Sequence, residues 1–97
     1  MAYDPGAISA TLAAAVGEDP ALVAELRAAF ARGVETALAD LAAANEFTAW
    51  TAAACRLRGL AGSFGAVRLM ALADEAVAAQ APDPVLLKRL TRMAARL

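Results

Sequence analysis

Phe47-Thr48-Ala49-Trp50-Thr51-Ala52-Ala53-Ala54-Cys55-Arg56-Leu57-Arg58-Gly59-Leu60-Ala61-Gly62-Ser63-Phe64 is the stretch from which the rest of the chain can be read. Phe47, Trp50, Ala54, Leu57, Ala61 and Phe64 recur in steps of three and four, the spacing of one face of an α-helix. The pattern predicts a helix over residues 46–63 with this stripe buried. At about 100° per residue, Cys55 lies roughly 130° from the centre of the stripe. Thr48, Thr51, Gly59 and Gly62 fall on the same outward side, and Arg58 lies at the border between that face and the core.

Outward from this helix, three Asp-Pro pairs punctuate the chain: Asp4-Pro5, Asp19-Pro20 and Asp83-Pro84. Aspartate at a helix N-cap accepts a bond from an orphan backbone N–H, and proline at the next position lacks only an N–H that would have no partner. Each pair reads as a helix start. Asn45-Glu46 reads as another, with Asn45 as the cap, and Gly65 marks a break with a further start behind it. Five helices are expected, at about 5–16, 20–44, 46–63, 66–81 and 84–97. Gly17 suits the end of the first and Pro82 closes the fourth.

The second of these helices carries Leu22, Leu26, Phe30, Ala37 and Leu41 at helical spacing, flanked by Val23, Val34 and Leu38. Gly33 interrupts the pattern at a cost of up to about 1 kcal/mol relative to alanine, which suggests that a neighbour approaches closely there. The last helix shows Leu86, Leu90, Met93 and Leu97. No period-two alternation occurs anywhere. Short connections make sequential helices antiparallel neighbours. The expected fold is all-α: one domain over residues 1–97, an antiparallel four-helix bundle with the short N-terminal helix packed across one end.

Composition agrees. Apolar residues make up 61% of the 97 residues, and about half of those are alanine, which points to closely packed helices around a thin core. Nine basic and ten acidic residues give a net charge of −1, without the basic excess that nucleic-acid binding requires. No run approaches the ~18 apolar residues of a membrane span, and the start Met1-Ala2-Tyr3-Asp4-Pro5 has no basic signal region. The single cysteine fits a reducing, cytoplasmic setting. No cofactor or metal site is expected, and the oligomeric state is left open.

A solvated helix face ordinarily carries Glu, Lys, Gln and Arg. The outward face of helix 46–63 carries Thr48, Thr51, Cys55, Gly59 and Gly62 instead. Two exposed glycines cost up to about 2 kcal/mol relative to alanine. Two readings fit: a partner's backbone gains access to the helix, or another element of the same fold covers this face.

The segment Cys55-Arg56-Leu57-Arg58-Gly59-Leu60-Ala61-Gly62-Ser63-Phe64-Gly65-Ala66 resembles the signature of histidine phosphotransfer (HPt) domains, which reads His-x-Leu-Lys-Gly-x-Ala/Ser-x-x-Phe/Leu/Ile-Gly-Ala. The resemblance covers residues 50–80. Arg68-Leu69-Met70-Ala71-Leu72-Ala73-Asp74-Glu75 looks like the family's fourth helix, and the segment from Asp19 to Phe30 is similar to its second. The resemblance implies a helical bundle whose exposed histidine exchanges phosphoryl groups with the aspartate of a receiver domain. It implies further that Arg58 corresponds to a lysine that contacts phosphate, and that Gly59 corresponds to a glycine that gives the receiver room.

The departure is as informative as the match. Cys55 stands at the histidine position, and the chain contains no histidine at all. A thiol attacks phosphorus only as thiolate, and Cys55 lies mid-helix, away from the stabilising N-terminal dipole. Ser63, Thr48 and Thr51 have no neighbouring base to activate them. The expectation is a pseudo-phosphotransfer domain without a catalytic residue. It would bind a response-regulator receiver domain or a histidine kinase through Cys55, Arg58, Gly59, Gly62, Thr51, Thr48 and Ser63, with no nucleic acid or membrane partner. Phosphotransfer through Cys55, a redox-sensing thiol, and a plain helical interaction or dimerisation module are the alternatives.

Overall fold

The structure, a computed structural model, describes Gly17 and residues 19–97. The described residues form four α-helices and no strand: α1 (Pro20–Ala43), α2 (Phe47–Ser63), α3 (Val67–Ala78) and α4 (Pro84–Ala94). The helix expected over 5–16 lies outside the described residues.

Local chemistry sets most of these boundaries. The Asp19 carboxylate accepts from Ala21 N at 3.0 Å and Leu22 N at 3.3 Å. Asp83 does the same for Val85 N at 3.0 Å and Leu86 N at 3.1 Å. In each case proline follows the cap, so both starts form as the sequence suggests. The start of α2 differs from expectation: its N-cap is Glu46, not Asn45, and Glu46 makes no side-chain cap bond.

The turn between α2 and α3 is a Schellman motif. Gly65 has φ 72°, its N–H donates to Gly62 O at 3.4 Å, and Ala66 N donates to Ala61 O at 2.8 Å. This is the 6→1 and 5→2 pairing that satisfies the last carbonyls of a helix and needs a left-handed residue at the position Gly65 holds. Ala66, just past that turn, is buried beside Ala61 in the core.

α3 ends at Ala78, three residues before its expected limit, and Ala79 is already extended. The early ending leaves the Ala76 carbonyl without its i+4 helical donor. Trp50, buried on α2, donates its indole N–H to that oxygen at 2.9 Å. A buried indole needs such an acceptor, so the unwound end of α3 and the seating of Trp50 belong to one arrangement. α4 likewise stops before 97, its chain tightening through Arg96 N to Met93 O and Leu97 N to Ala94 O.

Contacts run α1 to α2, α2 to α3, α3 to α4, and α4 back to α1, which closes a bundle. Gly33 lies opposite Leu60 and Asp40 opposite Arg56, while Gly62 lies opposite Met70 and Asp74 opposite Arg58, so α2 runs antiparallel to both α1 and α3. Phe30, Val34, Ala37 and Leu41 meet Trp50, Ala53, Ala54, Leu57 and Ala61 in the core, with Leu69, Leu72, Ala73 and Ala76 from α3 and Leu86 and Leu90 from α4. Phe30 and the half-buried Phe64 stack with ring centroids 4.7 Å apart.

Two expected core residues are not core. Phe47 is 52% exposed and Leu22 is 42% exposed. Both occupy the first turn of their helix. Phe47 lies one turn beyond Trp50, past the point where α3 unwinds. α1, at about 36 Å against about 25 Å for α2, carries Leu22 past the Leu60–Phe64 end of its neighbour. Periodicity places each on the inward face, but no described helix continues far enough to cover it.

Candidate functional site

The outward side of α2 is open. Cys55, Arg58, Gly59, Gly62 and Ser63 are all exposed, and with Met70 of α3 they line a shallow depression of about 400 Å³. These residues follow one another at positions 55, 58, 59, 62 and 63. Two turns of α2 therefore present them together on the side opposite Trp50, Ala54, Leu57 and Ala61.

The two glycines of this face differ. A Cβ at Gly59 would meet nothing within 4 Å, whereas one at Gly62 would meet Met70 Sδ at 3.2 Å. Gly59 leaves the helix backbone bare to an approaching group. Gly62 lets the Met70 thioether settle against α2. The outward face is therefore partly covered by α3 at Gly62 and open at Gly59.

The two arginines that follow Cys55 in sequence are drawn to opposite sides. Arg56 pairs with Asp40 on α1, and Arg58 pairs with Asp74 on α3. All four side chains are about half exposed, and surface pairs of this kind contribute at most about 1 kcal/mol each. Arg58 thus stands at the rim of the depression, as expected, but it is not a free cation. An anion arriving at Cys55 competes with the Asp74 carboxylate for its guanidinium.

Thr48 and Thr51 do not join the site. Thr48 is exposed but lies two turns from Cys55, about 10 Å along the helix axis. Thr51 is half-buried, and its Oγ1 is fully buried with no hydrogen-bond partner among the described residues. It is therefore not the outward-facing hydroxyl that its helical phase suggests. Sequence reading also passed over Met70 and Asp74 as parts of the site. They are four residues apart on α3, so they share a face. That spacing was visible, but which helix the face would meet was not.

On the other flank of α2, Gly33, Thr36, Arg56, Leu60, Ser63 and Phe64 contribute to a wider, mostly apolar groove against α1. Gly33 answers the close approach expected of it: a Cβ there would meet Leu60 Cδ1 at 3.1 Å. Among the described residues no group of three or more His, Cys, Asp or Glu side chains is placed to hold a metal ion, and no helix is long and apolar enough to cross a membrane.

Comparison of the chain with protein-family models, with curated proteins and with solved structures yields no match.

Proposed function

We propose that this chain is a pseudo-phosphotransfer domain of a two-component signalling system: an HPt-like bundle, completed by the N-terminal helix, that docks a response-regulator receiver domain or a histidine kinase without carrying phosphate. The observation that carries this reading is the bare backbone at Gly59 beside the exposed Cys55. A regular helix face is there left without the long side chains that would keep a partner away. The HPt-like motif supplies the kind of partner, and the absence of histidine removes the acceptor. Such a domain acts by occupancy, lowering the amount of partner free to meet genuine phosphotransfer proteins. The Arg58–Asp74 pair fits this role, because an internally neutralised cation contributes little to holding a phosphoryl group.

The test is radiolabel transfer from a panel of phosphorylated receivers, together with binding of the same receivers by titration calorimetry. The unmodified protein should bind at least one receiver and take up no label. Cys55→His should gain partial transfer, since imidazole is available as a neutral nucleophile near pH 7. Gly59→Gln should abolish both binding and the gained transfer while leaving the fold intact. Labelling of the unmodified protein would replace this reading with cysteine chemistry. Absence of receiver and kinase binding would leave a plain interaction module.

A further inference from the structure

The α3–α4 side of the bundle carries a second feature, remote from Cys55 chemistry. A groove of about 440 Å³ runs between these two helices. Its floor is apolar, formed by Ala71, Leu72 and Met93, and four arginines rim it: Arg68 from α3 and Arg89, Arg92 and Arg96 from α4 and the turn that follows it. Arg89 is paired with Glu75 at 3.1 Å. Arg68, Arg92 and Arg96 have no ion-pair partner among the described residues.

The placement is not that of a generally solvated helix. Residues 89, 92 and 96 fall within about 60° of one another around the axis of α4. Leu87, Thr91 and Ala94 on the other flank are uncharged. Residues 84–97 contain four basic side chains and no acidic one, within a chain whose net charge is −1. Unpaired guanidiniums gathered at one groove repel one another and concentrate a positive field there. A ligand bearing carboxylates relieves that repulsion.

We infer that this groove is a docking site for an acidic amphipathic segment of another protein, one that seats an apolar side chain on Leu72 and Met93 and sets carboxylates against Arg68, Arg92 and Arg96. Guanidinium suits this partner because its planar fork takes a carboxylate through two parallel hydrogen bonds. The apolar floor asks for a hydrophobic anchor as well as charge, which a helix presenting both on one face provides. Nucleic acid fits less well. No aromatic side chain lines the groove to stack on a base, and its apolar floor offers nothing to a phosphate backbone. This inference does not depend on the proposed receiver-binding face.

Fluorescence anisotropy with a fluorescein-labelled helical peptide, leucine on one face and glutamate beside it, tests the inference. Controls are the same peptide with glutamine for glutamate and a labelled single-stranded DNA. The glutamate peptide should bind saturably and more tightly than either control, and should weaken as salt rises. Arg92→Glu combined with Arg96→Glu should weaken it about tenfold or more, whereas Lys88→Glu, a charge reversal elsewhere on α4, should change it less than about twofold. Arg68→Gln on the facing helix gives an independent reading and should weaken it severalfold with an unchanged thermal melt. Lack of saturable binding, equal binding of the glutamine peptide, equal loss in Lys88→Glu, or tighter binding of the DNA would each overturn the inference.

Discussion

Gly33 and Gly59 are both glycines in the interior of a long helix, and they face opposite fates. At Gly33 the missing side chain is filled by Leu60, whose methyl carbon lies 3.1 Å from where a Cβ would sit. At Gly59 nothing comes within 4 Å. The first glycine allows α1 and α2 to close on each other. The second does nothing for packing among the described residues and forfeits helix propensity. The same contrast divides α2 as a whole: a flank built for the core, around Trp50, Leu57 and Leu60, and a flank around Cys55 and Gly59 that touches α3 only at its edge, through Met70 and the Arg58–Asp74 pair.

The largest expected effect breaks the packed side. Trp50→Ala removes the biggest fully buried side chain and the indole hydrogen bond to the Ala76 carbonyl, and should cost about 3–5 kcal/mol in denaturant melts. A loss below about 1 kcal/mol would mean that Trp50 is not core. Gly33→Val comes next. It forces Leu60 aside and should destabilise by about 1–3 kcal/mol. Gly59→Ala should act in the opposite direction, raising stability by up to about 1 kcal/mol through helix propensity alone. If Gly33→Val and Gly59→Ala shift the melt alike, the two flanks are not different in kind. Arg58→Ala is expected to be smallest, within about 1 kcal/mol, because its pair with Asp74 is half exposed and screened. The size of that change should shrink in high salt.

What the sequence made legible was whatever depends on near neighbours along the chain. The Asp19 and Asp83 caps reach only two or three residues forward, and the Gly65 turn is closed by its own helix end. The burial of Trp50, Ala54, Leu57 and Ala61 follows from spacing once α2 is accepted as a helix. Phe47 and Leu22 share that spacing and are nonetheless exposed, because burial also requires a neighbour long enough to reach them. Asn45 looked like the better cap, but the helix starts one residue later. Cys55, Arg58, Gly59, Gly62 and Ser63 come together as expected, since one helix suffices to align them. Asp74, Met70 and the buried Oγ1 of Thr51 depend on which helix lies beside α2 and at what height. Periodicity says which way a residue faces but not what it will find there.

The hydrogen bond from Trp50 to the Ala76 carbonyl has an optical consequence. Trp50 is the only tryptophan in the chain, it is fully buried, and its indole is anchored to the end of a different helix. Its emission should therefore lie far to the blue of free indole in water. It should report the docking of α2 on α3, whereas circular dichroism reports helix content alone. Since Cys55 and Gly59 lie on the far side of the same helix, a partner that binds there as a rigid body should leave this emission unmoved. A shift on binding would instead mean that the partner opens the α2–α3 seam, so one natural fluorophore separates surface docking from remodelling of the bundle.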